Sequence, residues 1–355
     1  MDTIFDKTQI HFDEKLPFVV YRKPQETKLI GVFQKNDTLF CVKNYKEKGF
    51  VFAPFIGDKI VLIPENQSEV FVSDWDFKTI EGETNFIIDG NAEAKNNFKN
   101  LVQQGIDAIK NYAFTKVVLS RKEIVEIPDF NLTVVFSNLL NEYPTAYVYC
   151  FFHPKVGLWM GAFSEQLLKV EGNKFKTMAV AGTQVFQENE TISWQNKEKV
   201  EQQLVTDFIV RNLKSEAQSI IVSKPYTLKA GNLVHLKTDI NGFLNMNSSL
   251  NKLVTILHPT PAVCGLPKDK AKEFIVKYEG YDREYYAGFF GEMNTNFTTS
   301  DNITDFYVNL RCVQIINKSA HLYIGCGITK DSIPENEWNE TVNKSMTIKK
   351  CILKF

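Results

Sequence analysis

The chain has 355 residues, of which 41 are basic and 42 acidic, giving a formal net charge of −1, and 44% are hydrophobic. Such a length can bury a large core in one large domain or two, while so even a charge balance provides no field toward nucleic acid or an anionic membrane, so neither is expected as a partner. The six cysteines, Cys41, Cys150, Cys264, Cys312, Cys326 and Cys351, are widely spaced and form no CxxC pair, which argues against a zinc clamp or redox couple and for buried thiols.

The N-terminus, MDTIFDKTQIHFDEK, carries acidic charge early and lacks the apolar stretch of a secretory signal. No apolar run approaches the ~20 residues of a membrane helix, so a soluble cytoplasmic protein is expected. Up to about residue 90, β-rich runs (Phe18 to Tyr21, Leu29 to Phe33, Leu39 to Val42, Ile60 to Ile63) alternate with polar turns and predict strands. From Asn91 to Tyr112 apolar Phe98, Leu101, Val102, Ile106 and Ile109 recur at helical spacing, and a strand containing Lys116 follows. Ala146 to Phe152, Gly157 to Phe163, Gln166 to Val170 and Phe175 to Val180 predict a meander of antiparallel strands joined by tight turns. Helical patterns return at Trp194 to Leu213, Lys268 to Tyr278 and Glu335 to Leu353, with a strand pair at Phe306 to Ile316 and Ala320 to Ile328. This mixture predicts an α+β fold with helices outside antiparallel sheets.

Within this framework several side chains suggest chemistry. Lys116 shares a strand face with Val118 and Ser120, and an apolar site there would favour a neutral amine able to accept a proton. Glu165 lies just past a strand, where an inward turn would bury it and raise its pKa. Glu198 and Glu201 lie on one helical face, as do Glu337, Glu340 and Lys344. A base, an acid and two separate carboxylates are what magnesium-assisted chemistry on a small dianionic substrate needs. Individually each has a plainer reading: an edge lysine, a turn carboxylate, solvated helix faces. Arg311 offers a planar fork for a carboxylate and Lys344 a compact second charge. Gly325 and Gly327 in LYIGCGI would present backbone N–H groups to an anion, although such a pair is more often a turn or bulge. Gly182 permits close backbone approach and Thr183 supplies a hydroxyl. His235 and His258 are each open to a structural or a ligand-facing role.

The words KVVLSR (116–121), GAFSE (161–165), AVAGT (179–183), HPTPA (258–262) and LYIGCGI (322–328), in this order, resemble the chorismate-utilising enzymes, and within them the isochorismate synthases, over about residues 95–353. The resemblance implies two stacked, largely antiparallel β-sheets flanked by helices in a single large domain, residues 1–90 being its strand-rich part and 91–355 the chorismate-binding catalytic region. It also implies Lys116 as the base that activates water and Glu165 as the acid. Glu201 and Glu340 would be ligands of Mg2+, with Glu337 acting through water. Gly182, Thr183, His235, Ala262, Arg311, Gly325, Gly327 and Lys344 would surround chorismate, with His258 shaping a loop. Anthranilate and aminodeoxychorismate synthases carry glutamine in place of Lys116, aminodeoxychorismate synthases a nucleophilic lysine in place of Ala181, and salicylate synthases threonine in place of Ala262. Phe163, Ser164, Gln184 and Gln202 depart from the family's small residue, proline, arginine and histidine. The expectation is a cytoplasmic, monomeric isochorismate synthase serving menaquinone or siderophore biosynthesis without an amidotransferase subunit. A salicylate synthase, an anthranilate synthase component I and a catalytically silent chorismate-binding protein are the alternatives.

Overall fold

The computed structural model describes residues 3–78, 91–185, 192–230 and 233–353, with the side chains of Thr183, Val185, Lys197, Ala230 and Leu233 outside that set. Among the described residues the helices are α1 (Ile4–Asp13), α2 (Ala92–Lys110), α3 (Leu132–Glu142), α4 (Asn196–Leu213), α5 (Leu250–Leu257), α6 (Lys268–Tyr278) and α7 (Pro334–Ile352). A nine-stranded sheet runs, edge to edge, through Gly265–Leu266, Lys116–Glu126, Ser319–Ile328, Cys312–Ile316, Gly157–Ala162, Val148–His153, Phe18–Arg22, Lys28–Gln34 and Ser68–Asp74. A ten-stranded sheet includes Leu233–Leu244, Lys174–Val185, Gln166–Glu171, Ile303–Val308, Phe289–Met293 and Gly49–Ala53 as successive neighbours. The pairings are antiparallel, as expected.

Side-chain alternation explains the layering. In the strand Phe18–Arg22, Val19 and Tyr21 enter the core between the sheets, while Phe18 and Val20 enter a second core beneath α1, α3 and α7. The strand Val148–His153 divides in the same way, Tyr149 and Phe151 inward, Val148, Cys150 and Phe152 toward the helices. Aromatic rings join the sheets: Phe52 stacks on Phe151 at 4.3 Å and Tyr149 meets Phe290 at 4.4 Å. Such offset or tilted contacts add roughly 0.5–1.5 kcal/mol each beyond burial.

Three expectations are corrected. The predicted meander is two hairpins in different sheets, because Phe163–Glu165 carries the chain from the nine-stranded sheet to the ten-stranded one. The predicted strand Phe306 to Ile316 is likewise two strands, Ile303–Val308 and Cys312–Ile316, one in each sheet. Buried apolar residues stand on either side of each crossing, so hydrophobic composition alone does not separate the strands. Asn309 marks the second crossing: fully buried, it accepts from Tyr149 Oη at 2.6 Å and donates to Tyr285 O at 2.9 Å. The segment expected to hold only strands also begins with α1, closed by a capping box between Thr3 and Asp6.

Candidate active site

The two crossings lie side by side, with Val308 N donating to Glu165 O at 2.9 Å and Ala162 N to Arg311 O at 3.2 Å. They therefore bring Glu165 and Arg311 to one wall of a cavity of about 110 Å³ at the junction of the sheets. Lys116 and Gly325 to Gly327 line it from one sheet, Val180 to Gly182 and His235 from the other, and Glu198, Glu201, Glu340 and Lys344 from α4 and α7.

Burial drives the carboxyl of Glu165 up to about 7, against the opposing pull of Lys116 and Lys344. At neutral pH a substantial fraction is therefore protonated and able to donate. Lys116 is fully buried, but the apolar enclosure expected for it is absent: its Nζ lies 2.8 Å from Glu201 Oε1. Gly327 makes room for this pair, since a Cβ there would lie 2.4 Å from Glu201 Oε1 and 3.3 Å from Lys116 Cε.

Gly182 bulges the strand between Ala181 and Thr183 with φ +74°, and a Cβ on it would stand 2.9 Å from Glu198 Cβ. Its lack of a side chain thus lets α4 bring Glu198 to the cavity. The carbonyl of Gly182 lies 3.1 Å from His235 Nδ1. Burial, then Arg311 and Lys344, hold His235 down to about 3, so its ring is neutral at physiological pH. The backbone of Thr183 pairs with His235, while its side chain lies outside the described residues. Buried Gln202 fastens α4 to the sheet, donating to Thr238 Oγ1 at 2.6 Å; a residue that departs from the family here acts as a structural tie.

On α7, Glu340 pairs with Lys344, whose Nζ also donates to Gly325 O at 3.1 Å. Gly325 and Gly327 are mid-strand residues opposite Ser120 and Val118, rather than a turn. A strand residue's N–H and C=O share an edge, so the Lys344 contact puts the N–H groups of Gly325 and Gly327 on the edge facing Lys344. Arg311, at φ +48°, donates through Nη1 to Lys344 O at 3.0 Å. Ala262 lines the cavity, while Glu337 is buried one turn before Glu340 and is not in the lining. His258 lies away from the cavity, its Nε2 at 3.1 Å from Pro54 O.

Sequence reasoning missed Tyr286 and Tyr323, which stack at 5.7 Å and wall the cavity. It placed Glu198 on the face of Glu201 without giving it a site role. Glu198 Oε2 is buried with no hydrogen-bond partner among the described residues. Glu198, Glu201 and Glu340 all line the cavity and carry the oxygen donors that a hard dication takes. Among the described residues no three acidic, histidine or cysteine side chains are grouped so as to hold a metal ion.

A family described as chorismate binding enzyme matches residues 65–353. Isochorismate synthase EntC of Escherichia coli (strain K12) is 29% identical over 243 residues, 66% of this chain and 61% of that protein. Isochorismate synthase MenF of Pasteurella multocida (strain Pm70) is 30% identical over 261 residues, 69% and 58% respectively. The chain thus spans less than two thirds of the length of these curated relatives. The solved structure of DhbC from Bacillus anthracis has the same fold, with a TM-score of 0.79 over 98% of this chain and 99% of that one at 23% identity. No helix among the described residues is long and apolar enough to cross a membrane. With the match covering most of its length and both crossings converging on one polar cavity, the chain belongs to the chorismate binding enzyme family.

Proposed function

We propose that the protein is an isochorismate synthase that converts chorismate to isochorismate with magnesium. The observation that carries this reading is the presence of buried, elevated Glu165 and buried Lys116 in the same cavity. The isochorismate synthases among its relatives agree with it.

Lys116 acts in its neutral form, for which its contact with Glu201 must be given up, and Nζ then takes a proton from a water that attacks C2 of the ring. Glu165 gives its proton to the C4 hydroxyl, which departs as water while the double bonds shift, so one water enters and one leaves. Ala181 and Ala262 leave space where a nucleophilic amine or a hydroxyl would stand. Arg311 and the N–H groups of Gly325 and Gly327 receive a substrate carboxylate, with Lys344 alongside. Neutral His235 orients the ring by hydrogen bonding. A magnesium ion held by Glu201 and Glu340, with Glu198 as a further oxygen donor, would supply positive charge to a substrate carboxylate, whereas Glu337 lies outside the lining and would act only indirectly. Neither ammonia nor an amidotransferase subunit enters this scheme, which a cytoplasmic monomer can perform for menaquinone or siderophore synthesis.

The test is purified protein with chorismate, with magnesium or with EDTA, and products resolved by liquid chromatography and mass spectrometry. Magnesium-dependent isochorismate without salicylate is expected. Salicylate or, with ammonium, anthranilate as the main product would replace this reading, and binding without turnover would make the protein a silent chorismate binder.

A further inference from the structure

Behind the cavity wall lies a buried charged network that the scheme above leaves unused. The strand Lys116–Glu126 has only the two-residue strand Gly265–Leu266 on its outer edge, because the chain turns away at Thr260–Cys264, with Val263 N and Cys264 N both donating to Thr260 O. That turn presents Ala262 to the cavity, but it ends the ladder early. Val118 N still donates to Cys264 O at 2.8 Å, but the return bond is lost because Cys264 N is turned to Thr260, so the carbonyls of Val118 and Val263, both lining residues, are left without a strand partner in a region where an unpaired buried carbonyl is costly.

Arg283 takes the place of the missing strand. It is 2% exposed and donates through Nη2 to Val118 O at 2.7 Å and through Nη1 to Val263 O at 2.9 Å. Its Nε donates to Glu279 Oε2 at 2.8 Å, and Nη2 also contacts Glu279 Oε1. Glu279 Oε1 in turn accepts from Ser120 N at 2.7 Å and Ser120 Oγ at 3.0 Å. One guanidinium thus joins the strand of Lys116 to the turn of Ala262, and one carboxylate fixes both that guanidinium and the strand two residues further along. A planar fork can reach both carbonyls at once, whereas an ammonium has no such fixed geometry.

We propose that Arg283, held by Glu279, is a positioning residue for the isomerisation: it fixes the span between Lys116 and the Ala262 turn, and so where the water and the ring sit relative to each other. The inference rests on the isochorismate synthase reading. Since misplacement by about 1 Å can reduce turnover about 10²-fold, the effect belongs in kcat rather than in substrate binding, as Arg283 lies behind the lining and touches no carboxylate receiver.

Three variants test this in the full chain with magnesium: Arg283→Lys, Glu279→Gln, and the double variant Arg283→Met with Glu279→Leu. Replacing a buried ion pair by apolar residues of similar volume often preserves stability, so the double variant separates folding from positioning. The expected result is a kcat about 10²-fold below the parent for Arg283→Lys and for the double variant, with KM for chorismate within about 3-fold. Glu279→Gln leaves the fork its two carbonyls but gives up part of its hold, since an amide nitrogen cannot accept from Arg283 or Ser120, so its kcat should fall between the parent and Arg283→Lys with KM within about 3-fold, and a KM-led loss counts against the proposal. Near-parental kcat in a folded Arg283→Lys or double variant overturns the proposal, as does a loss that follows KM or unfolding temperature alone. If the double variant fails to fold, the split between kcat and KM in Arg283→Lys decides. A parent without isochorismate synthase activity would refute the functional reading instead, a result distinct from active variants of an active parent.

Discussion

Glu165 shows how burial sets a residue's chemistry. Its value of about 7 exceeds the ordinary 4.5, so the folded state holds a proton that the unfolded chain has released. Stability from this group is full below the ordinary carboxyl range and is lost as pH rises through about 7. Glu165→Gln keeps the neutral shape, so its unfolding temperature should match the parent's below the ordinary carboxyl range, gain on it as pH rises from 4.5 to about 7 and keep that lead above; calorimetry across that range checks the sign. The same variant should lower kcat by about 10²- to 10⁴-fold. Gly327→Ala probes the neighbouring pair. The new methyl would lie against the flexible end of Glu201 without strained backbone, so circular dichroism should stay native while kcat/KM falls on the order of 10²-fold. Much at this scale was legible: lining positions such as Lys116, Glu165, Glu201 and Arg311 were all singled out from their words. The contact of Lys116 with Glu201 was not, because it joins a strand and a helix 85 residues apart through a gap left by Gly327.

For the elements, periodicity located α2, α4, α6 and α7 and most strands, yet did not show which sheet a strand joins. Val308 and Cys312 are both buried apolar residues, although they belong to different sheets. Nor were α1 and α3 read, although buried Leu132, Val135, Phe136, Leu139 and Leu140 form a helical stripe. The surrounding β-rich runs masked it. Asn309 is the polar signal that betrays the second crossing. Replacing it with alanine would orphan Tyr149 Oη in the core, while Tyr285 O would keep its bond from Gly288 N, a cost of roughly 1–3 kcal/mol. Asn309→Ala should therefore lower the urea midpoint with an unchanged slope, measured by equilibrium unfolding.

Over the whole molecule, the N-terminal segment is not a separable attachment. Phe18–Arg22 pairs with Val148–His153 in one sheet, and Gly49–Ala53 pairs with Phe289–Met293 in the other. A fragment of residues 91–355 would expose both of these strand edges and half of the aromatic layer between the sheets. It should not give a cooperative melt or a compact elution volume, even though it contains every proposed catalytic residue. A well-folded, chorismate-binding fragment would contradict this account of the architecture.

The paired crossings carry a consequence for how such a chain can change length. The hairpin at Gly172 lies at an exposed turn, where a Cβ would meet nothing within 4 Å, so extra residues there would hang in solvent. One residue added within Phe163–Glu165 or Asn309–Arg311 would instead rotate the acid or the arginine off the cavity and slip the strand beyond it by one register, turning its inner face outward. Descendants of this sequence are therefore free to lengthen at their hairpins, while these two three-residue links act as fixed rulers whose length is inherited with the chemistry.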